Sequence, residues 1–362
     1  MRALVLLLLL LVGCSRSPSA ANAQSSADAS RASAASAPAA SAPGSLEPGA
    51  RSLAREAVTF TGMCDASAAV EISERIFAVA DDEDNVIRTY DTERGGAPLS
   101  AVDLSPGLNL PVKPSKKPKP GAETDLEAAT RIGDRAYWIT SHARKRSGKY
   151  APERLRFFST TIPSDAAPIT VVGTAYEGLI DDLLAEPAFH RYGFARAVEL
   201  APTAPGGFNI EGMTARKEGG VWLGFRNPVP DGKALLIPLL NPEELVDGGR
   251  AAFGDAVVLD LGGLTVRALS AWRDHYLIAA GNAIDGGTPR LFTWDGSASA
   301  RAIPALDLRA FNPEGFFTPD AREQIFVLSD DGTVPIDGVP CKKLDDQGRK
   351  RFRGAWLPFS RR

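Results

Sequence analysis

Histidine, methionine and cysteine are scarce, three of each among 362 residues. The chain has no HExxH run, which sets aside the common zinc chemistries, and no G-x-S-x-G or Walker loop, which removes the usual serine nucleophile and nucleotide site. It also lacks a surplus of positive charge. Lys and Arg number 41 against 44 Asp and Glu, a formal net charge of −3, so there is no general basic footprint for nucleic acid. The apolar run from Ala3 to Val12 is too short to span a bilayer.

That run follows Met1-Arg2 and reads as a signal peptide. It ends Leu11-Val12-Gly13-Cys14, which resembles the lipobox of bacterial lipoproteins and implies cleavage before Cys14 and acylation of its thiol and new amino terminus. Two or more acyl chains anchor stably. Ser15, with no Asp after the cysteine, resembles lipoproteins sorted to the outer membrane. The expected address is the periplasmic side of that membrane, with the lipid as the only membrane attachment; the alternative is an ordinary secretory signal with an incidental Cys14. Residues 1–14 are thus signal peptide and lipobox. Residues 15–50 are a Ser/Ala/Pro/Gly tether with too little apolar surface to offset ordering, and 51–362 remain for one large β domain.

What the chain does have is a repeat. Asp125-Leu126-Glu127, Asn209-Ile210-Glu211 and Asn312-Pro313-Glu314 each read Asp or Asn, any residue, Glu, then Ala or Gly. An apolar stretch, a polar turn and an aromatic or β-branched strand follow, the strand about a dozen residues after the Glu. Two degenerate copies surround Asp65 and Arg267. Short strands rich in Val, Ile, Phe, Tyr and Trp, such as 135–140, 221–225, 234–239, 276–280, 290–294 and 324–328, alternate with Gly, Asp and Pro turns. Together these predict an all-β protein, a β-propeller of five or six blades. A sixth blade would fall between the second and third Glu motifs.

Two insertions break the rhythm: a basic, Pro-rich loop at 105–123, and 176–207, where Leu179, Ile180, Leu183 and Leu184 predict a helix ended by Pro187. A shorter helix is expected from Asn241-Pro242, with the Asn as cap. Cys64 and Cys341 lie near opposite ends of the folded part. If the repeats close into a ring, its first and last units become neighbours and a disulfide is geometrically possible, two free thiols being the alternative.

The repeat places the glutamates just before the innermost strand of each blade, so Glu127, Glu211 and Glu314, with Asp65 and Arg267, should ring one mouth of the channel. Residues after the second strands, including Asp81–Asn85, His142, Arg144, Arg226 and Ser329–Asp331, should join them. Two carboxylates ~5 Å apart repel by ~3 kcal/mol at an effective dielectric near 20. Such a ring therefore needs a cation or interleaved arginines. An all-oxygen cluster of Glu127, Glu211, Glu314 and Asp65 suits calcium or magnesium, while Arg144, Arg226, Arg267 and His142 are candidates to bind an anion. Equally, the glutamates could only tie blades together through backbone amides, or act directly as acids and bases.

The segments GMCDASAAVEI, DLEAA…YWITSHARKRSGK and NIEGMTA…VWLGFRNP resemble the bacterial domain of unknown function 3616 family over nearly all of 58–360. More distantly, the EGM and PEGFF motifs resemble esterase-like phytase domains and other propeller hydrolases, and that resemblance implies calcium held by acids at the channel mouth, with Glu211 and Glu314 as the positions carried over. Two functions stay open at this point: a lipid-anchored, calcium-assisted hydrolase of an anionic small molecule, a phosphoester first; or a non-catalytic cell-envelope protein that binds or assembles partners through the same loop-rich face.

Overall fold

The computed structural model describes residues 51–52, 56–110, 122–163, 168–284, 286–297, 299–303, 306–308, 310–319, 322 and 324–358. The expected signal peptide, lipobox and tether, and residues 111–121 of the Pro-rich insertion, lie outside them.

The domain is a five-bladed β-propeller. Each blade is a four-stranded antiparallel meander. Blade 1 runs through Ala66–Glu71, Ile76–Asp81, Val86–Asp91 and Ser100–Asp103; blade 2 through Leu126–Ile132, Arg135–Thr140, Phe157–Thr161 and Val171–Tyr176. Blade 3 comprises Asn209–Ala215, Val221–Asn227, Ala234–Leu239 and Val257–Leu259, and blade 4 Thr265–Trp272, His275–Gly281, Arg290–Trp294 and Ala300–Ala302. The long interval before the third Glu motif is filled by blade 4, and the described residues hold no sixth.

Blade 5 closes the ring. Pro313–Phe317, Gln324–Ser329 and Arg351–Pro358 supply three strands, and the N-terminal strand Val58–Thr61 pairs antiparallel with the last of them as the fourth. The seam between blades 5 and 1 is apolar and aromatic: Phe60 meets Phe77 edge-on with centroids 5.4 Å apart, and Phe77 stacks on Phe317 at 5.0 Å. Cys64 and Cys341 form a disulfide across it, with Cα atoms 5.9 Å apart.

The innermost strands are poor in bulky β-branched residues for a steric reason. They pack directly on one another around the axis, and a Cβ on Gly212 would fall 2.7 Å from Val266 Cγ1 of the next blade. The expected blade tie exists, but threonines make it. Thr130 Oγ1 accepts from Ala215 N of the next blade at 2.9 Å, and Thr214 Oγ1 from Ala271 N at 2.6 Å.

The insertions follow the sequence in part. Leu179–Ala185 is helical and stops before Pro187; it packs with Phe189 and Phe194 into the cluster of Tyr137, Phe157, Phe208 and Phe225 rather than over the channel. The helix Pro242–Val246 begins after Asn241, but that side chain makes no cap hydrogen bond. Asn241 instead braces the following loop, donating to Arg250 O and accepting from Ala252 N.

Candidate functional site

Each innermost strand slips register by one residue near its start, at a bulge. The extra residue is Ser67 in blade 1, Glu127 in blade 2, Glu211 in blade 3, Arg267 in blade 4 and Glu314 in blade 5. Bulges re-aim side chains. The glutamates therefore stand within the strand, not before it, and Asp65 takes the Asp/Asn place of the motif while Ser67 takes the Glu place.

The mouth at this end is a cavity of about 910 Å³. Nine acids and six bases line it, among them Glu127, Glu211, Glu314, Arg226 and Arg267 from the bulges and second strands. From the insertions, Glu123, Pro202 and Thr203 reach it. Asp65 sits just behind the wall, 2% exposed and bridged to Asp330. His142 and Arg144 do not line it. His142 is buried, with Nδ1 2.9 Å from Thr140 O, and burial pushes its imidazole down to about 4. Arg144 donates to Val198 O at 2.9 Å and pairs with Glu199. Neither is placed to meet an anion at the mouth.

The two halves of the mouth differ in how charge is balanced. In blades 3 to 5, arginine meets every glutamate. Glu211 Oε1 accepts from Arg226 Nη1 at 2.8 Å and from Asn209 Nδ2 at 2.8 Å, while Arg267 Nε lies 2.9 Å from Glu211 Oε2. Arg267 also donates to Glu314, and Asn312 Nδ2 donates to the same carboxylate at 3.1 Å. Burial works against the Glu314 charge, yet Arg267 and Asn312 hold it below the usual range. The Asn of Asn-x-Glu thus orients the Glu two residues on. Among the described residues these glutamates accept from side chains, not from backbone amides of a neighbouring blade.

Blade 2 carries Asp where blades 3 and 5 carry Asn, and an ionised Asp has no N–H to give. Asp125 pairs with Arg154 at 2.7 Å. Glu127 is left without an ion pair among the described residues, and burial, Asp125 and Glu211 push it well above the ordinary carboxylate range.

Blade 1 and its neighbour hold the other acids. Asp65, Asp82 and Glu83 can each place one carboxylate oxygen within 4.8 Å of the other two, where each charged pair would repel by about 3 kcal/mol at a dielectric near 20. Asp65 Oδ2 and Asp82 Oδ1 are buried without a hydrogen-bond partner. Burial, then Asp65 and Asp81, push Asp82 well up; burial, Glu314 and Asp65 do the same to Asp330. Asp81, behind them, is raised to about 7 by burial and Asp65.

The oxygen donors fit a hard divalent cation, but the set differs from the one the repeat suggested. Guanidinium groups already occupy Glu211 and Glu314. Of the four predicted ligands, Asp65 and Glu127 remain, joined by Asp82 and Glu83. The acidic run 81–84 is visible in the sequence. Lys342 and Arg353, which pair with Asp65, Glu83 and Asp331, carry no sequence signal, because they come from the far end of the chain.

No curated protein is significantly similar in sequence. Among solved structures, the chain is similar to the Myxococcus xanthus glutaminyl cyclase, at 11% identity over 84% of this chain and 95% of that chain with a TM-score of 0.42. It is likewise similar to the PQQ-bound aldose sugar dehydrogenase from Streptomyces coelicolor, at 12% over 83% and 99% with a TM-score of 0.41. Likenesses this remote say nothing of chemistry. Over residues 171–310, a narrower span than the motifs suggested but one that holds Glu211, Arg226 and Arg267, the chain matches the family described as "Protein of unknown function (DUF3616)".

Proposed function

We propose that this propeller is a calcium-assisted hydrolase of an anionic small molecule, a phosphoester first, held by a lipid on Cys14 at the periplasmic side of the outer membrane. The observation that carries the reading is the imbalance across the mouth: buried, unpartnered carboxylate oxygens at Asp65 and Asp82 beside Glu127, which has no ion pair among the described residues, opposite glutamates that arginine has neutralised. Asp65, Asp82 and Glu83 would hold the cation, with Glu127 and Asp330 beside it.

A bound divalent cation would polarise the scissile ester and activate a water. That requirement fits the lining, whose only hydroxyl side chains among the described residues are Thr203 and Thr333. Arg226 and Arg267 orient Glu211 and Glu314, and because their charge is already matched, the anion's main counter-charge is the cation. Glu127, whose carboxyl is pushed well above the ordinary carboxylate range by burial, Asp125 and Glu211, lines the cavity and is the group suited to give a proton to the leaving oxygen.

One observation supports the second reading, a binding protein of the cell envelope. Ile284 and Val334 line the mouth at 58% and 40% exposure, an apolar rim suited to a macromolecular partner. The test is calcium titration of the metal-free protein, with turnover measured on a phosphoester and lactone panel. The hydrolase reading expects calcium to raise Tm, by ~2.7 kcal/mol of stability at a hundredfold excess over Kd, and turnover to need it. Asp82→Asn should abolish both, whereas Glu211→Gln should keep most of the calcium response. A Tm indifferent to calcium and chelator rejects the reading; a stable complex captured without turnover favours the binder.

A further inference from the structure

We propose that Lys342 is a tethered counter-ion for Asp65, Asp82 and Glu83, and that a divalent cation entering the mouth must displace it. This rests on the cation reading above and adds what sets the site's affinity.

Three carboxylates converge here, and among the described residues one basic group reaches them. Lys342 Nζ lies 3.1 Å from Glu83 Oε1 and 3.5 Å from Asp65 Oδ1. A single ammonium cannot serve the whole cluster: Asp65, 2% exposed, keeps Oδ2 unpartnered, and Asp82 keeps Oδ1. An ammonium is a compact point charge with three donors, whereas calcium gathers six to eight oxygens. The cluster is thus partly neutralised, with oxygens to spare.

The fold places Lys342 there deliberately close. Cys341 precedes it and is bonded to Cys64, which precedes Asp65. One covalent bridge therefore holds the roots of both charged side chains together. Backbone bonds fix the same junction: Lys342 N donates to Gly332 O at 3.0 Å, Cys341 N to Val334 O at 2.9 Å, and Asp331 N to Cys64 O at 3.0 Å. The turn carrying Gly332 passes so near the carboxylate that a Cβ there would fall 1.7 Å from Asp65 Oδ1. The root is rigid, but the head is not. The Lys342 side chain is 29% exposed on a flexible four-carbon stem, so it can swing into water and leave its two oxygens to a metal.

The experiment is calcium binding to the metal-free, oxidised protein by calorimetry, with the calcium-induced shift in Tm as a second readout, for wild type, Lys342→Gln and Lys342→Arg. Removing the competing charge should tighten calcium binding at least about tenfold in Lys342→Gln, since opposite-signed charges 3–4 Å away contribute several kcal/mol at a dielectric near 20. Lys342→Arg keeps the charge and should not tighten it. Binding seen in Lys342→Gln alone would support the proposal in its strongest form. Equal or weaker binding in Lys342→Gln than in wild type overturns the counter-ion role and leaves the cation site standing. If no variant binds calcium at millimolar concentration, the counter-ion role and the cation reading fall together.

Discussion

Arg267 Nε lies 2.9 Å from Glu211 Oε2 across the boundary between blades 4 and 3. The same guanidinium reaches Glu314 of blade 5, so one side chain links three blades at the axis. Arg267→Leu would leave two largely buried carboxylates facing one another with less counter-charge. We expect a loss of ~3–5 kcal/mol in urea unfolding. Adding Glu211→Gln and Glu314→Gln should restore much of it. A loss below ~1 kcal/mol would mean that the pairs behave like exposed surface ion pairs.

The threonine tie makes a separate prediction. Thr214→Val keeps the shape of the side chain but strands the Ala271 N–H that Thr214 Oγ1 now accepts at 2.6 Å. Stability should fall by ~1–3 kcal/mol, with Thr214→Ser close to wild type and the calcium response unchanged in both. If Thr214→Val also altered the calcium response, the mouth and the ties at the far end would have to be coupled.

His142 gives a pH signature. Its imidazole, buried and held at about 4, stays neutral in the folded state, while the unfolded chain titrates near 6.5. As pH falls from 6.5 the unfolded state takes the proton first, so this residue's contribution is full above 6.5 and is lost progressively toward 4, ~3 kcal/mol in all. His142 has φ of 53°, a conformation Asn tolerates well. The stability difference between wild type and His142→Asn should therefore be constant above pH 6.5 and shift toward the variant by pH 4. Parallel profiles down to pH 4 would show that His142 is solvated.

The address is tested at Cys14. In its native host, Cys14→Ser should lose the lipid mass and be released from the membrane fraction. Retention without acylation would place the membrane contact elsewhere in the chain.

Much of this fold was legible from the chain. The second and third strands announced themselves through Val, Ile, Phe, Tyr and Trp, and Arg135–Thr140, Ala234–Leu239 and Arg290–Trp294 lie where the pattern put them. The innermost strands did not. Crowding at the axis selects small residues such as those of ASAAVE and NIEGMTA, and small residues carry little strand propensity. The bulge was hidden for a related reason: it is a slip of pairing between two strands, and a single strand's sequence does not show its partner's register.

The sequence by itself determined the repeated Asp/Asn-x-Glu register, the gathering of those acids at one mouth and, through Asn against Asp, which glutamates receive a donor from their own motif. Only the tertiary structure decided the charge balance. Glu211 and Glu314 are neutralised by an arginine from the blade between theirs, and the Asp65 cluster is met by Lys342 from the other end of the chain. Local patterns encode how a strand turns and which way a side chain points, because those depend on neighbours a few residues away. Coulomb interactions depend on distance in space, and that distance is set when Val58–Thr61 joins blade 5 and the ring closes.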